Sequence, residues 1–369
     1  MRDRHRLSRI VIVVLALGLP LLGAWAAHRH VPGLLTLPPP DAGYGAYPVF
    51  RWFAAAIVLA LLATVLAPWF VRVARYPAGR APSIPVRPRS LPAWGWVALA
   101  WIAGWWALAW APLPGLEPVR RNSFFPLWLG FIVGVNALTF RRSGNCLPTR
   151  SPGRWLALFG LSAGFWWGFE WLNRFADNWH YLGADRYGPG AYAAHATLCF
   201  STVLPAVAAV AEWFSSWPAW IARAAAGPRL GWLDHRFAGW ALLAGGSAGL
   251  LLTGARPHEA YPALWLGPLA LVFAEGILNR RPGVWRELAQ GDWRRAATWM
   301  AAALICGFFW EMWNYRSYPQ WTYTVPYVER WHLFEMPVLG YAGYLPFGLE
   351  CLIASEWLCR PCRHPSPSA

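Results

Sequence analysis

The stretch Phe50-Arg-Trp-Phe-Ala-Ala-Ala-Ile-Val-Leu-Ala-Leu-Leu-Ala-Thr-Val-Leu-Ala-Pro-Trp-Phe-Val71 decides the class of this protein. Its one charge, Arg51, stands at the edge, and everything after it is apolar except Thr64. A run of about 20 such residues crosses the hydrocarbon core of a bilayer as a helix. Further runs of this kind lie on either side, at 10–27, 93–112, 124–140, 155–173, 195–214, 237–254, 262–279, 297–314 and 336–357. Short linkers join them and leave no room for a large soluble domain. The expected fold is therefore all-α: a polytopic integral membrane protein of about ten transmembrane helices.

Composition agrees. Hydrophobic residues make up 57% of the 369 and charged residues 13%, against about 25% charged in a soluble domain. There are 29 Trp, a residue enriched at membrane–water interfaces. These values exclude a disordered chain, a secreted mini-domain and an ordinary cytosolic enzyme. The net charge of +15 suggests nucleic acid until its placement is read. Arg72, Arg75, Arg80, Arg87 and Arg89, then Arg141, Arg142, Arg150 and Arg154, then Arg223, Arg229 and Arg236, then Arg280, Arg281, Arg286, Arg294 and Arg295 occupy alternate linkers. Arg2, Arg4, Arg6 and Arg9 at the start and Arg360 and Arg363 in the tail join the same side. That asymmetry is a topology signal: both termini are expected in the cytoplasm, the partner is the lipid bilayer, and no nucleic-acid role is expected. The basic start, the apolar run after it and Ala24-Trp25-Ala26 also fit a cleaved signal peptide.

The Pro- and Arg-rich linker from Arg72 to Pro92 reads as an extended connector. It divides a two-helix lead (1–91) from the rest, in which landmarks recur. Glu170-Trp-Leu-Asn173 returns as Glu311-Met-Trp-Asn314, Trp179-His-Tyr181 as Trp321-Thr-Tyr323, Leu204-Pro205 as Leu345-Pro346, and Arg141-Arg142 as Arg280-Arg281. The offsets stay between 139 and 142, which points to a parallel duplication of a four-helix unit, 92–232 and 233–369.

Ionisable groups inside spans are costly and usually have a use. Glu170 and Glu311 fall at the outer ends of spans 5 and 9, with Asn173 and Asn314 three residues on, on the same helix face. An amide there can orient the carboxylate, and Trp179, Tyr181, Trp321 and Tyr323 supply aromatic, hydroxyl-bearing walls for a substrate. Desolvation would suit such a carboxyl to acid–base work. The structural alternative is that each Glu–Asn pair satisfies helix-end backbone. Glu275 and Glu350 lie deeper, at similar depths, which allows a buried cluster. Pro346 is expected to break the helix one turn before Glu350. Glu212 and Glu356 are expected to pair with linker Arg. Gly160, Gly164 and Gly168 form a small-residue face suited to close helix contact. The segment from Tyr315 to Met336 reads as an interfacial lid or an aromatic belt.

The histidines, among them His180 and His195, lack H-x3-H or HExxH spacing, and no metal or cofactor is assigned. Cys359, Cys362 and His364 form a lone partial zinc-like pattern, short of the four ligands a structural zinc takes.

The run Gly307-Phe-Phe-Trp-Glu311-Met-Trp-Asn314-Tyr, with Trp321 and Tyr323 and then Phe334-Glu-Met-Pro337-Val-Leu-Gly-Tyr-Ala-Gly-Tyr-Leu345-Pro-Phe-Gly-Leu-Glu350, resembles a functionally uncharacterised family of Trp-rich bacterial polytopic membrane proteins. More remotely, the order of acidic residue, W-x-Y and L-P-x-x-E is similar to the membrane lycopene cyclase domain. That resemblance implies membrane carboxylates that protonate a polyene, with Glu311, Asn314 and Glu350 as acid–base candidates and Glu170 and Asn173 as a second copy. The cyclase pattern has paired Glu after its Pro, where this chain has Gly348-Leu349 before a single Glu350. The resulting expectation is a multi-pass protein of the bacterial inner membrane acting as an enzyme on a lipid-soluble, isoprenoid-like small molecule. A proton-coupled transporter and a non-catalytic membrane scaffold are the alternatives.

Overall fold

The computed structural model describes residues 2–40, 48–75, 89–111, 113–225 and 227–357. Its helices, in chain order, begin with α1 (Arg2–Ala26), α2 (Trp52–Arg75), α3 (Ala93–Trp110), α4 (Glu117–Arg121), α5 (Phe124–Ser143), α6 (Leu147–Arg150) and α7 (Pro152–Ala176). After strand β1 (Trp179–Leu182) come α8 (Pro189–Phe200), α9 (Val203–Ser215), α10 (Pro218–Ala224), α11 (Arg236–Ala255), α12 (Pro257–Ala260), α13 (Ala263–Leu278), α14 (Val284–Gln290) and α15 (Arg294–Asn314). Strands β2 (Gln320–Tyr323), β3 (His332–Leu333) and β4 (Met336–Pro337) precede α16 (Tyr344–Trp357).

The chain is mostly helical, and among the described residues seven stretches are long and apolar enough to cross a membrane: Leu7–Ala26, Trp52–Arg72, Phe124–Ser143, Pro189–Ser215, Arg236–Ala255, Arg294–Asn314 and Val338–Trp357. The other three expected spans are helices too, but each is shorter, Trp-rich or carries charge. α3 carries six Trp, α7 carries Arg154, Glu170 and Arg174, and α13 has 16 residues. At 1.5 Å per residue α13 is about 24 Å long, short of the hydrocarbon core of about 30 Å.

Lipid tails are as apolar as Leu, so helices inside a bilayer associate through packing rather than hydrophobic transfer. Two devices supply that packing. The first is close backbone approach between α1 and α11: a side chain at Gly23 would strike the carbonyl of Leu251, and one at Gly254 the carbonyl of Pro20. The expected glycine face of α7 is corrected by the same measure. At Gly160 and Gly164 an added Cβ meets nothing within 4 Å, and at Gly168 it meets only Leu17, at 3.9 Å. Small-residue spacing permits close approach without choosing the helix that makes it.

The second device is an aromatic core. Trp128 is fully buried, with its ring centroid 5.0 Å from Trp310 and from Phe131 and 5.1 Å from Trp313. Phe169 stacks on Trp265 at 5.0 Å, and Phe347 lies edge-on to both at 5.8 Å. Edge-to-face and offset pairs of this kind add about 0.5–1.5 kcal/mol each beyond burial. α1 and α2 keep large apolar residues outside, among them Leu7, Val14, Trp25, Phe53, Leu61 and Phe70, as a lipid-facing surface requires.

The expected break before Glu350 is corrected. Pro346 sits in the first turn of α16, where its missing N–H costs no intrahelical bond, and the irregular backbone precedes it as a 3-10 stretch, Val338–Gly343. Span 6 is interrupted instead, between α8 and α9. Ser162 spans that interruption: its hydroxyl donates to the carbonyl of Phe200 (2.6 Å) and accepts from the amide of Leu204 (3.0 Å). Thr202 donates to the carbonyl of Cys199 at 2.7 Å. Freed backbone groups at such depth need protein partners, and these side chains provide them. Glu212 pairs with Arg150 (2.7 Å), and Glu356 with Arg295, as expected. Most of the Arg/Pro-rich connector, with Cys359, Cys362 and His364, lies outside the described residues.

Candidate functional site

The all-helical expectation misses one small element that organises the site. Trp179-His-Tyr181 and Trp321-Thr-Tyr323 are strands, paired antiparallel with Trp179 opposite Tyr323 and Tyr181 opposite Trp321. Alternate residues of a strand point to one face, so both Trp–Tyr pairs share a face. His180 and Thr322 take the other. The period-two W-x-Y pattern was the available signal, and the surrounding helical periodicity masks it.

Each strand is fixed to the helix before it by the asparagine of its motif. Asn173 donates to the carbonyl of Trp179 (2.8 Å) and accepts from the amide of Asn178 (2.8 Å). Asn314 donates to the carbonyl of Trp321 (2.6 Å) and accepts from its amide (2.8 Å). The asparagines therefore hold backbone rather than orient the carboxylates, because a chain turning back past a helix end presents unpaired peptide groups there.

Aromatic side chains orient the carboxylates. One oxygen of Glu170 accepts from Tyr181 Oη (2.6 Å), Trp179 Nε1 (3.0 Å) and Trp166 Nε1 (3.0 Å). One oxygen of Glu311 accepts from Tyr323 Oη and Tyr344 Oη, both at 2.7 Å. Trp321 Nε1 donates to Tyr323 Oη at 2.8 Å. Glu311 is fully buried, and its Oε2 has no hydrogen-bond partner among the described residues. Burial first, and then the neighbouring carboxylate, push the phenols of Tyr181 and Tyr323 well above the usual tyrosine range. Both phenols therefore remain protonated donors at neutral pH. Trp166 and Tyr344 are functional candidates that the motif reading missed. Trp166 sits one turn before Glu170 on the same helix face, a legible signal, whereas only the fold brings Tyr344 to Glu311.

These groups form one wall of a cavity of about 620 Å³. Trp179, Tyr181, Trp321 and Tyr323 line it, together with Trp166, Trp310 and Tyr344. The opposite wall is the middle of α2, Ile57 to Leu66. α2 is held near its ends. The amide of Arg51 donates to the carbonyl of Tyr327 (2.9 Å), and Arg72 donates to the carbonyl of Gly227 (2.9 Å). Ile57 and Leu61 remain 55% and 63% exposed, so this wall is not sealed. The carboxylates themselves stand behind the aromatic layer and reach the cavity through the tyrosines.

The remaining candidates lie apart from this cluster. Glu350 is buried, neither of its oxygens has a side-chain partner among the described residues, and the backbone of Leu269 approaches it without a well-formed hydrogen bond. Glu275 sits in the last turn of α13, ion-paired with Arg281 at 2.8 Å and bonded to Asn279 at 3.1 Å. His180 Nε2 lies 3.2 Å from Thr324 Oγ1, and the His195 ring stacks on Tyr187. Among the described residues no group of three or more His, Cys, Asp or Glu is arranged to hold a metal ion.

No family model matches the chain, and no curated protein or solved structure does.

Proposed function

We propose that this protein is an integral membrane enzyme that transfers protons to and from a lipid-soluble, isoprenoid-like substrate held between α2 and the paired strands. One observation carries the reading: Tyr323 and Tyr344 line the cavity and both donate to the same oxygen of the buried Glu311. The hydrogen bonds run from phenol to carboxylate, the sense of proton removal. A phenolic oxygen takes a proton from a substrate carbon next to a cationic centre while its own proton passes to Glu311; protonation of an alkene runs the chain in reverse. Trp310, Trp321 and the tyrosine faces would attract such a cation. Tyr323 and Tyr344 are the catalytic groups in this scheme, and Glu311 acts through them.

Glu170, with its oxygen already taken by three donors, is the degenerate counterpart. The reading includes a parallel duplication of a four-helix unit within about ten spans. It places the chain in the bacterial inner membrane with both termini cytoplasmic. The matching Asn clamps and the antiparallel pairing of the two W-x-Y strands support the duplication, and the Arg distribution supports the orientation.

A mostly apolar cavity wall favours this reading over a proton-coupled transporter. A non-catalytic scaffold is the second reading, favoured by Asn173 and Asn314, whose bonds are all to backbone. Lipid extracts of cells making the protein or its Tyr323→Phe variant decide between them. The enzyme reading expects a lipid species that depends on the intact chain and is lost in the variant. Identical extracts from both and from cells without the protein would leave the scaffold.

A further inference from the structure

One end of the cavity differs chemically from the rest. Leu62, Leu66, Met300 and Leu349 line it with hydrocarbon, whereas Arg120, Arg121 and Tyr318 line the end where α4 and the segment after α15 meet. Two donor atoms there that are shielded from solvent, Nε of the partly exposed Arg121 and Oη of the half-buried Tyr318, have no acceptor among the described residues. The guanidinium groups of Arg121 and Arg186 lie 5.9 and 5.3 Å from the centre of the Tyr318 ring. Both pair with the same carboxylate, Glu117, at 3.1 and 2.8 Å. Among the described residues Arg120 donates only to backbone carbonyls, those of Ala109 (3.2 Å) and Arg316 (3.4 Å). Two guanidinium groups thus share one carboxylate, Arg120 has only backbone oxygens among the described residues, and two donor atoms are left over beside an apolar chamber.

A donor atom shielded from water and left without an acceptor is a standing cost to the fold, and Arg is the side chain best suited to anionic oxygens. We infer that the cavity binds an anionic amphiphile: a phosphate or carboxylate head at Arg121, Tyr318 and Arg120, with its hydrocarbon chain along α2. This names the substrate class of the proposed enzyme and rests on that reading's assignment of the cavity as the binding site.

Native mass spectrometry of the full chain in an uncharged detergent tests it, with hexadecyl phosphate, hexadecanol and inorganic phosphate as probes. Hexadecyl phosphate should bind one per chain and at least about tenfold more tightly than hexadecanol, the scale of one charged hydrogen bond. Arg121→Gln should remove that preference, and Arg121→Lys should keep part of it. Leu62→Trp, which fills the chamber, should weaken both chain-bearing probes. If Arg121→Gln does not fold, Tyr318→Phe, which removes a single hydroxyl, should still reduce the preference severalfold. Equal binding of alcohol and phosphate overturns the inference, as does a preference that survives in Tyr318→Phe and Arg121→Gln alike. Inorganic phosphate competing as strongly as the alkyl phosphate would make this a free-anion site and overturns it too. Because no proton transfer is read, an inactive catalytic scheme and a missing head-group site give separate results.

Discussion

Trp179 stands directly opposite Tyr323 in the β1–β2 pair, and Tyr181 opposite Trp321. Each strand hangs from a different long helix, α7 or α15, so the pairing ties two distant parts of the chain together at the ends of those helices. It also brings the aromatic rings that hold Glu170 and those that hold Glu311 onto one face above a shared cavity. Glu170 draws its three donors from α7 and the strand that follows it, whereas Glu311 also needs Tyr344 from the start of α16.

Substitution separates the carboxylates. Glu311→Gln keeps the side-chain volume and should leave the protein folded, while lowering formation of its lipid product by about 10²–10⁴-fold, the usual contribution of a positioned acid–base group. Glu350→Gln should fold as well as the parent, since among the described residues neither oxygen has a side-chain partner to lose. A folded, fully active Glu311→Gln variant would remove the enzyme reading. Product analysis and thermal unfolding in detergent are both required.

Asn314→Ala removes two hydrogen bonds to Trp321 backbone and strands buried peptide groups. A loss of about 1–3 kcal/mol is expected, read as a lower unfolding midpoint. Asn173→Ala should behave alike. An unchanged midpoint in both would show that the clamps do not support the strands.

The glycines make a paired prediction. Gly254→Leu drives a side chain into the backbone of α1 and should cost at least about 1–3 kcal/mol, the scale of overpacking. Gly164→Leu, with open space around its Cβ, should stay within about 0.5 kcal/mol. Equal damage at the two sites would mean that the close contact lies elsewhere.

Alkaline titration probes the tyrosine layer. The folded protein holds the protons of Tyr181 and Tyr323 above the usual tyrosine pKa, whereas the unfolded chain releases them near pH 10. More protons on the folded state means stability that is complete below about pH 10 and falls as pH rises further. The unfolding midpoint should drop above that pH, and Tyr323→Phe should make the drop shallower. A midpoint flat to pH 11 in the parent protein contradicts the burial of these phenols.

Orientation is tested by reporter fusions after Arg89 and after Asp185, which should report opposite sides of the membrane. Both on one side would refute the ten-span arrangement.

Much of this protein is legible in one dimension. Apolar run length and Arg placement are additive along the chain, so the membrane class and the helix positions follow from counting. The Glu–Asn and W-x-Y spacings are local as well, and they point to the residues that gather at the cavity. Partner choice is not local. Asn314 lies on the same helix face as Glu311 yet bonds the returning strand, because unpaired peptide groups compete for it at the helix end. Gly164 has the spacing of a contact glycine but faces open space, while Gly23 and Gly254 meet backbone, because contact depends on which helix arrives. The β1–β2 pairing, the seat of Tyr344 on Glu311 and the wall supplied by α2 each join residues far apart in sequence. Only the packing of the helices, where shape and hydrogen bonding decide among equally apolar surfaces, brings them together.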